Sequence, residues 1–231
     1  MTSETMEGKT RARKRLALVH TVVSLVPTFN SLCRELIPDA DIFNVVDESL
    51  LQDCIRKGEL TAPTSRRLVG HLISAEEAGA DLIMVTCSSM GPAVEAARPL
   101  LDVPALRVDE PMAERAIALG RRIGVAATLR TTLDPTVSLI RSRARAAGRD
   151  AAVICKLCDG AFEAVIAGDT AQHDSIVGAG LRELIDQVDV VVLAQASMAR
   201  VVDNLPEADK RVPILSSPRL AVEHLATLLR S

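Results

Sequence analysis

The chain has 231 residues, a formal net charge of −3 and a hydrophobic fraction of 48%, enough for one large domain or two lobes in close contact. Three Phe are its only aromatic residues apart from histidine, so the core must be aliphatic, and base stacking on aromatic platforms is excluded as a route to nucleic acid. The acidic balance also argues against a phosphate-backbone partner, and no apolar run is long enough to span a bilayer.

Residues 1–12 read as a disordered tail. The segment from Met1 to Arg15 is polar and basic, with no apolar stretch suited to a secretory signal behind it, which points to the cytoplasm. Beyond it, short apolar strands alternate with longer helical patterns. A strand at 16–20 leads to a helix at 24–37, a strand at 41–46 to a helix at 62–78, and a strand at 81–86 to a helix at 91–100. Strands at 104–107 and 123–127 are followed by helices at 111–121 and 131–147. A strand at 151–155 precedes helices at 160–167 and 172–187, and strands at 189–194 and 212–215 precede a last helix at 218–230. Alternation of this kind predicts an α/β protein with mostly parallel sheets flanked by helices. Ala147-Gly148 and Gly178-Ala-Gly180 read as local breaks.

The two halves of the chain resemble each other. Asp81-Leu-Ile-Met-Val-Thr-Cys87-Ser-Ser-Met90 recurs as Asp189-Val-Val-Val-Leu-Ala-Gln195-Ala-Ser-Met198, with Cys87 and Gln195 108 positions apart. Leu16 to Thr21 corresponds to Ile123 to Thr128, and Val103-Pro104-Ala-Leu106 to Val212-Pro213-Ile-Leu215, at nearly the same spacing. Three blocks in one order predict duplicated, pseudosymmetric α/β lobes. The first should comprise 13–109 plus 216–231 and the second 110–215.

Five cysteines, an odd number, do not form a disulfide framework in such a chain. Cys33 and Cys54 fall in apolar patterns and read as buried. Cys155 and Cys158 form a CxxC, but no second CxxC or HxxxH supplies the further ligands that zinc needs, so no metal site is assigned.

Ligands of parallel sheets bind beyond the carboxyl ends of the strands. His20, Thr21, Cys87, Ser88, Ser89, Thr128, Gln195 and Ser197 stand at those ends, where free amides and hydroxyls suit a carboxylate or serve as helix caps. Neither a GxGxxG nor a GxxxxGK[ST] loop is present to receive a nucleotide. Cys87 should have a lowered pKa if oriented amides face its sulfur. His20 is either a structural histidine or an acid–base partner of Cys87. Asp109 and Glu110 read as helix-start residues, Arg130 as either a carboxylate ligand or solvent-facing, and Asp169, His173 and Asp174 as helix-start residues without a role in chemistry.

Thr86-Cys87-Ser88-Ser89, the segment Ala127 to Thr132 and the segment Val192 to Met198 resemble the aspartate/glutamate/hydantoin racemase superfamily, which also includes arylmalonate decarboxylase and maleate isomerase. The resemblance covers the chain from about residue 13. It implies a cofactor-free active site in the cleft between the lobes, with one cysteine from each lobe flanking the substrate α-carbon, and a homo-oligomer. Cys87 matches the first cysteine. Gln195 stands where the second would be, and an amide cannot exchange protons as a thiol does. The expected catalytic set is Cys87, His20 and Gln195, with Thr21, Thr86, Ser88, Ser89, Thr128, Thr131, Thr132, Ala196 and Ser197 binding a small carboxylate of the amino acid, hydantoin or dicarboxylate class. Racemisation with a non-cysteine second base, decarboxylation with one thiol, nucleophilic cysteine chemistry and carboxylate binding without turnover all remain open on the sequence.

Overall fold

The computed structural model describes residues 13–230, and the tail expected at 1–12 lies outside them. Among the described residues, eight strands form two four-stranded sheets. β1 (Arg15–His20), β2 (Asp41–Val46), β3 (Leu82–Val85) and β4 (Ala105–Arg107) lie in the order β2-β1-β3-β4. β5 (Arg122–Ala127), β6 (Ala152–Leu157), β7 (Val190–Leu193) and β8 (Ile214–Ser216) repeat that order as β6-β5-β7-β8. Every pairing is parallel, with Leu16 opposite Leu82 in one sheet and Ile123 opposite Val190 in the other. The central strands β3 and β7 are buried at every residue, as continuous apolar runs require when helices cover both faces.

The duplicated Asp residues explain why the repeat begins where it does. Asp81 Oδ2 accepts from the backbone N–H of Arg15 at 2.7 Å, at the start of β1. Asp189 Oδ2 accepts from the N–H groups of Arg121 and Arg122 at 3.0 and 2.9 Å, at the start of β5. Each carboxylate thus ties the strand that follows it to its neighbour in the sheet.

Among the described residues, ten α-helices surround the sheets: α1 (Val26–Leu36), α2 (Glu48–Lys57), α3 (Ala62–Glu77), α4 (Gly91–Ala97), α5 (Glu110–Leu119), α6 (Arg130–Ala146), α7 (Ala161–Ile166), α8 (Thr170–Ile185), α9 (Ala199–Asp203) and α10 (Ser217–Arg230). The expected strands and helices are present with ends shifted by a few residues, whereas α2 and α9 are additional. α2 has clear stops: the Asp47 side chain accepts from Ser49 N at its start, and Gly58 adopts a left-handed φ of 72° at its end. Gly178-Ala-Gly180 is not a break, because both glycines lie inside α8. A Cβ on Gly180 would stand 2.7 Å from Cys158 Sγ, so the missing side chain lets α8 approach the end of β6.

Two helices pack across the duplication. α5 follows β4, yet Met112, Ala113 and Ala116 join the core built on Ile123, Val125, Val190 and Val192 of the second sheet. α10 follows β8, yet Val222 and Leu225 join Leu16, Leu18, Leu82 and Met84 of the first. This reciprocal exchange ties the two sheets together through their helices. Glu110 strengthens the junction by accepting both Arg98 at 2.7 Å and Arg143 of α6.

Candidate active site

Because every strand is parallel, the carboxyl ends of each sheet fall on one side. A cavity of about 230 Å³ opens there between the two sheets. Thr21 follows β1, Thr86 to Ser89 continue β3, and Val108 follows β4. From the second sheet come Thr128 after β5, Ala194 to Ser197 after β7, and Ser217 after β8. Thr132 enters from the first turn of α6. Larger hollows of about 570 and 420 Å³ sit at the opposite, amino ends of the strands, beside Lys14 and Pro38 in one case and Arg121 and Arg149 in the other. Neither has a thiol in its wall.

The two repeated turns are built alike. β3 passes through extended Cys87 into a 3₁₀ turn at Ser88–Met90 and then α4; β7 passes through extended Gln195 into a 3₁₀ turn at Ala196–Met198 and then α9. Cys87 is partly exposed to the cavity, but burial pushes its thiol above the ordinary value. Opposing this are the Thr21 hydroxyl, the amides of Ser89 and Met90, and the Ser89 hydroxyl, all of which favour the thiolate. The expected lowering therefore does not occur: the amides are aimed at the sulfur as anticipated, but desolvation outweighs them. Thr21 Oγ1 is buried and has no conventional hydrogen-bond partner, which leaves its proton free for the sulfur.

Gln195 is fixed sideways. Its Oε1 accepts from Thr128 N at 2.6 Å and its Nε2 lies 2.8 Å from Thr128 Oγ1, so the amide braces the end of β7 against the end of β5. The corresponding brace in the first sheet is Thr86 Oγ1, 2.9 Å from His20 Nδ1. His20 is fully buried and does not line the cavity. Its Nε2 lies 2.9 Å from Asn44 Oδ1, an acceptor, so Nε2 carries the proton and Nδ1 accepts from Thr86. Burial lowers its pKa, opposed by the Asn44 contact, and Phe29 meets the ring edge-on at 5.7 Å between centroids. Both ring nitrogens are occupied, which places His20 behind the site as a support.

Of the other expected residues, Thr21, Thr86, Ser88, Ser89, Thr128, Thr132, Ala196 and Ser197 line the cavity, whereas Thr131 does not. Ser89 Oγ and Thr132 Oγ1 are 3.0 Å apart and bridge the two halves directly. Arg130 is exposed and stands outside the lining. Asp109 is held by Arg107 in a two-point ion pair at 3.0 and 2.8 Å, wholly buried, and Glu110 by Arg98 and Arg143, so both acids serve the framework. Cys33, Cys54 and Cys158 are buried while Cys155 is exposed, and burial pushes Cys158 to about 11.

Sequence reasoning passed over part of the wall. Leu25, Leu51, Phe162 and Val165 close the cavity with apolar surface, and His173 enters it from the first turn of α8. Phe162 and Val165 lie on a helix face whose outlook no local pattern reveals. A histidine beside a helix start is the signal that existed for His173. Among the described residues, no Lys, Arg, Asp or Glu lines the cavity, and no group of three or more His, Cys, Asp or Glu is placed to hold a metal ion. No described helix is long and apolar enough to cross a membrane.

Two pseudosymmetric parallel α/β lobes with a thiol at the cleft define the class of racemase-like α/β enzymes. The chain belongs to the Asp/Glu/hydantoin racemase family, whose model matches residues 19–225. Similar solved structures include a glutamate racemase from Bacillus anthracis, with a TM-score of 0.70 and 16% identity over 94% of this chain and 82% of that one. An allantoin racemase from Klebsiella pneumoniae gives 0.69 and 17% over 94% and 88%, and an aspartate racemase from Picrophilus torridus 0.69 and 13% over 94% and 92%. Comparison with curated proteins finds no match.

Proposed function

We propose that the protein is a cofactor-independent racemase/isomerase-type enzyme that acts on a small carboxylic acid, or a cyclic imide of similar polarity, through Cys87. The observation that supports this reading best is a thiol set in a cavity whose polar wall is otherwise made mainly of neutral donors at the strand ends of both sheets. Removing an α-proton moves negative charge onto the substrate's carboxyl oxygens. The hydroxyls of Ser88, Thr128 and Ser197 and the strand-end amides stand ready to receive that charge without reorganising. Cys87, largely a neutral thiol, serves as the proton donor to the resulting enediolate and, in the reverse direction, as the base.

The wall also narrows the substrate. A second carboxylate would lack a fixed cation and an ammonium group would lack a carboxylate, while Leu25, Leu51, Phe162 and Val165 offer apolar contact. The best fit is a monocarboxylate or hydantoin-like ring with an apolar substituent. Proton NMR in deuterated water on enantiopure compounds of this class tests the proposal. The α-proton should exchange with wild-type protein, and Cys87→Ala should slow that inversion by about 10³-fold or more. Full activity in Cys87→Ala would sink the cysteine mechanism. A second reading, single-thiol decarboxylation, is favoured by Cys87 being the one cysteine in the wall. Release of carbon dioxide from a disubstituted malonate, with deuterium placed on one face, would select it.

A further inference from the structure

Gln195 leaves the second lobe without a proton-transfer group at its strand end, yet among the described residues the cavity has one ionisable side chain besides Cys87 in its wall. His173 is 1% exposed, and what surface it keeps belongs to the cavity lining. Its Nδ1 lies 2.8 Å from Asp174 Oδ1, and Asp174 in turn pairs with Arg200 Nη2 at 2.7 Å. Two groups meet Nδ1, the acceptor Asp174 Oδ1 at 2.8 Å and the donor Arg200 Nη2 at 3.4 Å. The shorter contact assigns the proton to Nδ1, which leaves a lone pair at Nε2 of the unprotonated ring. Nε2 has no hydrogen-bond partner among the described residues and is not among the buried unsatisfied atoms, so it is not sealed in the core. His20, with both nitrogens engaged behind the wall, offers no such lone pair.

We propose that His173 is the second proton-transfer residue, supplied from α8 of one lobe to face Cys87 of the other; this rests on the Cys87 reading above. Nε2 takes the α-proton from one face of the substrate and becomes imidazolium, while the C–H electron pair stays on the substrate as an enediolate or enolate. The S–H bond of Cys87 then breaks, its proton forms the new C–H bond on the opposite face, and a thiolate remains. The imidazolium–thiolate pair either processes the other enantiomer in reverse or returns to imidazole and thiol through water. Asp174 fixes the tautomer and ring orientation, and Arg200 holds Asp174 in place.

The test uses the full-length protein with enantiopure 5-benzylhydantoin and 2-phenylpropionate in deuterated water. His173→Asn keeps an N–H at the Nδ1 position for Asp174 but removes Nε2, whereas His173→Gln places an amide near the Nε2 position. Both should slow inversion by more than 100-fold. His173→Asn should still exchange the enantiomer that Cys87 faces, and Cys87→Ala the opposite one. Inversion by His173→Asn within threefold of wild type, or equal losses of α-proton exchange for the two enantiomers, would overturn the assignment. A substrate-free measurement stands beside it in the Cys155→Ser background. There, alkylating Cys87 with iodoacetamide should move the His173 imidazole resonance, assigned by its loss in His173→Asn, and its titration midpoint. An unmoved resonance would also overturn the proposal. An inactive Cys87→Ala beside a fully active His173→Asn would remove His173 alone, whereas an active Cys87→Ala would remove the parent reading.

Discussion

The two sheets have the same strand order and the same turn after their third strand, but they use those turns differently. In the first, Thr86 braces buried His20 and leaves Cys87 free to enter the cavity. In the second, Gln195 itself is the brace, held to Thr128 by its amide. The backbone plan is thus duplicated while the supporting hydrogen bond has moved by one residue, from Thr86, two positions before its 3₁₀ turn, to Gln195, directly before its own. A repeated strand end conserves where a side chain can point, and the side chain present decides whether it reacts or supports.

The fourth strands differ even more. β4 runs into Arg107, Val108 and Asp109, a buried ion pair whose guanidinium covers Gly91 so closely that a Cβ there would stand 2.2 Å from Arg107 Cζ. β8 runs into Ser216 and Ser217 with no charge. Removing one partner of a buried pair strands the other, so Arg107→Ala should cost about 3–5 kcal/mol in denaturant unfolding. Ser216→Ala should stay within about 1 kcal/mol. Equal losses at the two sites would show that the first lobe has no special dependence on its ion pair.

Next in size are the donors that the two turns share. If a carboxylate lies between the lobes, Ser88→Ala and Thr128→Ala should each weaken ligand binding by about 1.5–3 kcal/mol, measured by calorimetry. Loss at Ser88 with none at Thr128 would place the anion entirely in the first lobe. The hydroxyl bridge between the halves is smaller. Ser89→Ala and Thr132→Val should each lower stability by about 0.5–1.5 kcal/mol, and the double variant should lose less than their sum.

Much of this contrast was readable in the sequence, for reasons that lie in the backbone. Strand periodicity, the Asp81 and Asp189 repeats and the Thr-Cys-Ser-Ser turn are local patterns, and a parallel sheet converts their order into position. α2 was equally legible, since Asp47 and Gly58 mark its ends, yet its ten residues carry only Leu50 and Cys54 as a buried stripe. His20 and His173 could not be told apart in this way. Both are buried histidines at element ends, and what separates them is contacts distant in sequence: Asn44 and Thr86 occupy both nitrogens of His20, whereas Asp174 occupies one of His173. The thiol's direction of shift was missed for a related reason, because the amides behind Cys87 are local but the desolvation comes from the packed protein around it.

The smallest expected effect belongs to the paired acids that start the two repeats. Asp81 and Asp189 are each held below the usual carboxylate range, first by the backbone N–H groups of Arg15 and of Arg122, respectively. A depressed native pKa means that the unfolded chain takes up protons more readily in acid. The stabilisation is therefore complete above the unfolded carboxylate value, near 4, and fades as the pH falls through it toward the native value. Asp81→Asn and Asp189→Asn should each lower the Tm slightly at pH 7, and the difference from wild type should shrink below about pH 4. Both carboxylates are substantially exposed, so salt should weaken their ion pairs with Lys14 and Arg122 while leaving the backbone hydrogen bonds in place. Matching behaviour in the two variants would mark these acids as the part of the duplication that kept its original work, beside strand ends that did not. A pH-independent loss in either one would instead assign its role to shape alone.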